Sequence, residues 1–166
     1  MTKHWLENGG EMSEGVISFY VQENYHELVI KKPLHNAVEK TLAYRRGDDS
    51  PSVTVMITDD EHLKEMNQRY RGINKPTDVL AFEMDFTDPD LDSRYLGDVV
   101  ISYQQALKQA ETRGHQVEEE LQLLVVHGVL HLLGFDHDSL SRKEEMWSLQ
   151  SQVLRDLGLT IEVEDV

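Results

Sequence analysis

The sequence contains no cysteine among its 166 residues. A disulfide framework and a thiolate metal site are therefore both excluded, and the absence fits a reducing compartment. The sequence also has no run of about 18 apolar residues, the length that a membrane helix requires. Its first residues offer no apolar core for a signal peptide. We therefore expect a cytoplasmic protein with neither membrane nor disulfide partners.

Positive charge is scarce: 16 basic residues face 31 acidic ones, and the formal net charge is −15. This balance argues against broad, non-specific binding to a polyanion. The segment RYRGINKPT nevertheless carries Arg69, Arg71 and Lys75 and no acid, so a local positive surface is one interpretation. The basic residues between Lys31 and Arg46 are interpreted as solvated helix faces.

Hydrophobic periodicity predicts an α+β fold, a small mixed four-stranded sheet packed with about five helices. Strands are expected at residues 16–21, 53–58, 78–84 and 96–102. Helices are expected around residues 34–42, after a cap at residues 58–59, and at 103–113, 117–133 and 139–157. The acidic, proline-containing segment at residues 85–95 is expected to be a mobile loop.

The chain length suits one domain. We expect a single domain at residues 16–158. Residues 1–15 are expected to form a loose N-terminal extension, and residues 159–166 a C-terminal tail.

The segment HGVLHLLGFDH, from His127 to His137, predicts a metal site on a helix in the C-terminal half and the turn after it. Residues four apart share one helix face, so His127 and His131 can hold the same ion. Gly134 can adopt the left-handed conformation that ends a helix and returns His137 as the third ligand. Three histidines leave a fourth position for water, as in catalytic zinc sites. Zinc, one ion per chain, is the default expectation, although imidazole also suits copper, nickel and iron.

The alternative is that these histidines are ordinary core residues. A single histidine on an apolar helix usually is one. Two unpaired imidazoles in the apolar surroundings LQLLVV and VLHLLG would be costly to bury, however. The metal site is therefore favoured.

The ligand spacing matches the metzincin peptidase frame H-E-x-x-H-x-x-G-x-x-H except at one position. Gly128 stands where those enzymes carry the glutamate that acts as general base. Simple proteolysis is therefore disfavoured. A peptidase or amidohydrolase that draws its base from elsewhere stays open as an alternative.

Histidine ligands usually donate their second ring N–H to an acceptor. Asp98, Asp136 and Asp138 are candidates for this role, and the sequence does not choose among them.

Together with YRGINKPTDVLAFEM (Tyr70–Met84) and LGDVVIS (Leu96–Ser102), the histidine motif resembles the YbeY family. Members of that family are metal-dependent endoribonucleases, also called rRNA maturation factors. The resemblance extends from about Val16 to Leu157. It implies a zinc-dependent hydrolase of RNA that takes part in rRNA processing and ribosome quality control, with the three histidines as ligands. The functionally important arginine of the family falls on Arg71.

The physical chemistry of the YRGINKPT segment agrees with that implication. Arg71 offers a planar fork of donors for phosphate, and Arg69 and Lys75 add positive charge. Tyr70 could stack on an unpaired base. The alternative is an ordinary helix-to-strand loop with solvated charges.

The leading interpretation is cleavage of single-stranded RNA, an rRNA precursor, by a protein that partners the ribosome or a ribosomal subunit. In it, Arg71 stabilises the charge that develops on phosphate. A non-enzymatic ribosome assembly factor with a structural metal is the third interpretation.

Overall fold

The computed structural model describes residues 15–47, 49–90 and 93–161. Its strands are β1 (Ile17–Val21), β2 (Ser52–Thr58), β3 (Val79–Asp88) and β4 (Ser93–Ser102). Its helices are α1 (Lys31–Leu42), α2 (Asp60–Arg71), α3 (Tyr103–Arg113), α4 (Val117–Leu132) and α5 (Leu140–Asp156), with a short 3-10 turn at Glu23–Tyr25. Of the predicted extension at residues 1–15 only Gly15 is described, and of the predicted tail only residues 159–161.

The strands form one mixed sheet in the order β1-β2-β4-β3. β1 pairs parallel with β2, and β2 pairs parallel with β4. β3 is antiparallel to β4. The predicted α+β fold, a small mixed four-stranded sheet with five helices, is confirmed.

Helix α4 lies at the centre of the molecule. It contacts β3 and β4 of the sheet and the helices α1, α3 and α5. A helix that is apolar on all sides is typically buried, and α4 is buried along nearly its whole length. The side chain of His127 is only 4 % exposed in these surroundings. The apolar sequence of α4 therefore places the first histidine inside the fold.

Helix α4 approaches the sheet closely at Gly128. A Cβ atom added there would lie 2.5 Å from Cγ1 of Val99 on β4, a distance that real Cβ atoms do not show. The absence of a side chain at residue 128 thus lets the helix pack against the sheet.

The prediction of a loop at residues 85–95 is wrong for most of the described residues in that segment. β3 continues to Asp88 and β4 begins at Ser93, so the two strands form an extended hairpin. Phe86 pairs with Tyr95 across it, and their ring centroids lie 5.4 Å apart. The register shifts between Glu83 and Phe86. An exposed ribbon does not need alternating apolar and polar residues, so its sequence resembled that of a loop. Residues 91 and 92 lie outside the described residues.

The start of α2 agrees with the cap predicted at residues 58–59. Asp59 accepts a hydrogen bond from the backbone N–H of His62 at the start of α2. Gly72 and Gly114 have the left-handed conformation at the ends of α2 and α3. Among the described residues, no helix has both the length and the apolar character needed to span a bilayer.

Candidate metal centre

The three predicted ligands lie together in the structure. One ring nitrogen from each of His127, His131 and His137 falls within 4.8 Å of the others. The Nε2 atoms of His127 and His131 are 3.1 Å apart. Two nitrogen ligands on one tetrahedral zinc ion would be separated by about 3.3 Å, given bond lengths near 2.0–2.1 Å. The donor set and its spacing therefore fit a metal ion.

The turn after α4 brings the third histidine back. Gly134 has a φ of 94°, which glycine adopts without a steric penalty. Its N–H donates to the carbonyl of His131 at 3.0 Å, and the N–H of Phe135 donates to the carbonyl of Leu130 at 3.0 Å. These bonds reverse the chain, and the backbone N–H of His137 then donates to Oδ1 of Asp136 at 2.7 Å.

Burial favours the neutral form of two of the imidazoles, those of His127 and His131. It lowers the pKa of His127. Burial, followed by the nearby rings of His127 and His137, lowers the pKa of His131 to about 4. Neutral imidazoles are the form that binds metals, so at neutral pH the ring nitrogens of His127 and His131 are available to a cation.

Gln150 on α5 is a candidate functional residue that sequence reasoning missed. Its side chain is 2 % exposed, and its Oε1 lies 2.9 Å from Nδ1 of His127. An amide oxygen only accepts, so Nδ1 carries the ring proton and the lone pair of Nε2 faces the other histidines. Gln150 shares the buried face of α5 with Met146, Val153 and Leu154. A polar residue on such a face is the signal that could have revealed it.

The three aspartates predicted as histidine acceptors have other partners. Asp98 is buried and accepts a hydrogen bond from the hydroxyl of Tyr95. Asp138 is ion-paired with Arg142 at 2.8 Å. Asp136 lies beside the site and accepts from the backbone of His137, a bond that lowers its pKa. The acceptor observed for a candidate ligand ring is therefore Gln150, on His127.

A cavity of about 370 Å³, which we call the metal cavity, is lined by His127, His131 and His137. Arg71 lines this cavity, at the end of α2. Arg69 and Lys75 are exposed and are not among its lining residues. The three cations are neighbours in the sequence, but only Arg71 lies with the histidines in the structure.

Tyr70 lies on the face of β3 that is opposite the metal cavity. Its ring meets Phe82 edge-on, with the centroids 5.1 Å apart, and Phe82 packs with Leu63 and Leu80 beneath α2. The alternate residues Val79, Ala81 and Glu83 line the metal cavity instead. Tyr70 is therefore not positioned to stack a base beside the histidines.

Asp78 and Glu83, which were not among the predicted site residues, bring carboxylates to the cavity. Asp78 accepts from the backbone N–H of Val79 at 2.8 Å and from Nε2 of Gln109 at 3.1 Å. The cavity thus combines three imidazoles, one guanidinium and carboxylates, a set suited to hydrolysis assisted by a metal.

Comparisons with known proteins agree with this arrangement. The family model described as Endoribonuclease YbeY matches residues 16–158. The relative named Endoribonuclease YbeY from Roseiflexus sp. (strain RS-1) is 42% identical over 156 residues, covering 90% of this chain and 98% of its own. The relative of the same name from Brevibacillus brevis is 44% identical over 154 residues, covering 83% and 97%.

A solved structure is also similar. The solution structure of TM1509 from Thermotoga maritima is 26% identical in sequence, with a TM-score of 0.59. The match covers 86% of this chain and 89% of that one.

Proposed function

This chain belongs to the endoribonuclease YbeY family, and from that premise we propose that it is a zinc-dependent enzyme that cleaves single-stranded RNA during rRNA maturation and ribosome quality control. The observation that carries the proposal is the placement of Arg71 in the same cavity as the three histidines. A metal ion and a phosphate-binding group in one cavity together suit phosphodiester hydrolysis.

The proposed roles follow from the side-chain chemistry. His127, His131 and His137 would hold the zinc ion, which when bound polarises a phosphoryl oxygen or lowers the pKa of a water molecule. Arg71 would bind the phosphate, because its planar fork matches two phosphate oxygens. Gln150 would hold His127 in the tautomer that directs Nε2 at the ion.

A peptidase of the metzincin kind is not supported. The Cβ that a glutamate at residue 128 would need lies 2.5 Å from Val99. The general base of those enzymes therefore has no room at its usual position. The relatives described above are named endoribonucleases, not peptidases.

A purely structural metal is also a poorer explanation. Structural zinc sites are normally closed by four protein ligands. The group has three histidines, and His137 is exposed at the mouth of the cavity. These features favour an ion that substrate can reach, so we prefer an enzyme to a non-enzymatic assembly factor.

The acidic surface bears on target choice. A protein with a net charge of −15 repels RNA over most of its surface. We propose that the ribosome or a ribosomal subunit presents the rRNA precursor to the cavity, in the cytoplasm. Arg69 and Lys75, which are exposed in the RYRGINKPT segment, would bind flanking phosphates.

The experiment pairs metal analysis with RNA cleavage by the wild type and by His131→Ala. We expect about one zinc per chain in the wild type, cleavage of single-stranded RNA, and loss of both in the variant. His35→Ala is the matched control, because His35 is a half-buried histidine on α1 that does not line the metal cavity. Full metal occupancy in His131→Ala, or no cleavage by zinc-loaded wild type, would overturn the proposal.

A further inference from the structure

A second cavity, of about 340 Å³, borders the turn that leads to His137. Residues 133–136 of that turn line it, and Asp136 lines both this cavity and the metal cavity. The two cavities are therefore neighbours along one short segment. Nothing in the proposed cleavage chemistry uses the second one.

Arginine is concentrated around the second cavity. The sequence has eight arginines, and four of them line it: Arg45, Arg46, Arg94 and Arg142. They come from the segment after α1, the start of β4 and the first turn of α5. Half of the arginines of a strongly acidic chain thus meet beside the metal centre. We refer to this site as the arginine cavity.

The guanidinium groups differ in how firmly they are held. Arg45 donates to the backbone carbonyls of Asp49 and Leu42, so it stabilises the wall of the cavity. Arg94 pairs with Asp85 at 2.6 Å, and Arg142 pairs with Asp138 at 2.8 Å. Within the described ranges, Arg46 makes no hydrogen bond or ion pair.

A ligand can displace the carboxylates that pair with Arg94 and Arg142. Arg94 also pairs with Asp49 at 3.6 Å. The side chains of the two arginines and of their carboxylate partners are 38–60% exposed, and exposed ion pairs contribute little to stability. A phosphate can replace a carboxylate on such a guanidinium with the same fork geometry. Arg46 is exposed and has no partner among the described residues, so a phosphate can bind it without displacing a carboxylate.

The other residues that line the arginine cavity could also bind the base of a nucleotide. Tyr44 and Phe135 bring aromatic rings to the arginine cavity, and Asp136 and Glu145 bring carboxylates. Bases stack on aromatic rings and on guanidinium planes, and a carboxylate can accept from a base N–H. The carboxylates would repel a free inorganic phosphate, whereas a whole nucleotide offers them donors. The volume lies at the lower end of the range for small-ligand sites, about 300–1,000 Å³.

We propose that the arginine cavity binds a nucleotide of the RNA strand that flanks the one at the metal centre. This inference rests on the proposed endoribonuclease function and adds a second binding site for the same substrate. The strand would cross the turn at residues 133–136, with Arg71 holding phosphate in one cavity and Arg46 and Arg142 holding it in the other. RNA length, beyond the nucleotides at the metal, then contributes to affinity.

The decisive test is binding of uncleavable single-stranded oligonucleotides to metal-loaded protein. We expect Arg46→Ala to weaken binding of an octanucleotide about five- to tenfold, and to weaken a trinucleotide less. The slope of log affinity against log salt should become shallower by about 0.7 for each phosphate that the variant no longer neutralises. Arg155→Ala is the matched control, because Arg155 is an exposed arginine on α5 that does not line the cavity. Octanucleotide binding by Arg46→Ala as tight as that of the wild type would overturn the inference.

Two further measurements distinguish a nucleotide site from a simple phosphate site. Phe135→Leu should weaken uridine monophosphate binding while leaving inorganic phosphate binding unchanged, because only the nucleotide has a base to stack. Equal affinity of the wild type for phosphate and for the nucleotide would contradict a nucleotide site. Zinc content is measured for every variant, so that a damaged metal centre is recognised.

The two proposals fail in different ways. If zinc-loaded wild type cleaves no RNA, the proposed function is wrong. If the wild type cleaves RNA while Arg46→Ala binds long and short RNA as the wild type does, only the arginine cavity is wrong.

Discussion

The ring of His127 donates its Nδ1–H to the side-chain oxygen of Gln150, across 2.9 Å and within the core between α4 and α5. The bond fixes which nitrogen of His127 faces His131 and His137. Because the acceptor is a neutral amide, it orients the ring without adding negative charge to the site. A carboxylate in the same position would orient the ring and also make it a stronger ligand.

Removing that acceptor should weaken metal binding. We expect Gln150→Met, which keeps the length of the side chain, to lower zinc affinity about 10- to 100-fold. Gln150→Glu should restore or raise it. Affinity is measured in competition with a chelator, and Gln152→Met on the same helix is the control. Unchanged zinc affinity in Gln150→Met would show that the bond serves packing alone.

The metal-free protein should lose stability as the pH falls from about 6.5 towards 4. Folding lowers the pKa of His131 from 6.5 to about 4 and also lowers that of His127. Between those values the unfolded chain binds more protons than the folded one, so acid favours unfolding. Urea denaturation across this range measures the effect. His131→Asn should flatten the dependence, and the control is His35→Asn on α1, outside the metal cavity.

A carboxylate should affect stability in a separate, more acidic range. Burial raises the pKa of Asp59, but hydrogen bonds from His62 and Gln22 outweigh it and leave the pKa at about 2. Its contribution is therefore present above 3.8 and is lost as the pH falls towards 2. A loss of stability confined to pH values below about 4 in the metal-free protein would contradict the histidine assignment.

Arg71 should act in cleavage and not in folding. Arg71→Ala removes the guanidinium from the cavity, and we expect RNA cleavage to fall about tenfold or more with zinc content and melting temperature unchanged. Arg71→Lys should recover only part, since an ammonium cannot form the two-pronged contact. The neighbouring Arg69→Ala, outside the cavity lining, should have the smaller effect. Cleavage at the wild-type rate by Arg71→Ala would end the phosphate-binding assignment.

Local patterns in the sequence predicted the fold and the histidine group because both depend on short-range spacing. His127 and His131 share one helix face, and Gly134 allows the turn to His137. The contacts that sequence reasoning missed are long-range. Gln150 is 23 positions from His127, and the four arginines of the arginine cavity come from three separate parts of the chain. Their meeting depends on helix packing, which periodicity does not specify.

The β3–β4 hairpin shows a different reason for failure. Its outer part is exposed, so cross-strand pairs such as Phe86 with Tyr95 and Asp85 with Arg94 support it. Such pairs leave no alternating apolar pattern. An acidic segment containing Pro89 therefore resembled a loop, although the strands continue on both sides of it.

Gly128, which stands where metzincins carry a glutamate, is packed too closely to accept a side chain. At Gly128 an added Cβ would lie 2.5 Å from Val99 Cγ1 and 3.0 Å from its Cγ2. Alanine favours helices over glycine by about 1 kcal/mol, but overpacking a core contact costs about 1–3 kcal/mol. We therefore expect Gly128→Ala to lower the free energy of unfolding despite its better helix propensity.

The residue that Gly128 packs against supplies the control. Val99→Ala alone should destabilise the protein by leaving a cavity, yet it makes room for a Cβ at residue 128. The double variant Gly128→Ala/Val99→Ala should therefore be more stable than the sum of the single effects predicts, by a coupling of about 1 kcal/mol or more. Urea denaturation of the four proteins measures this coupling. Additive effects would mean that close packing does not explain the glycine, and a base at residue 128 would again become admissible on steric grounds.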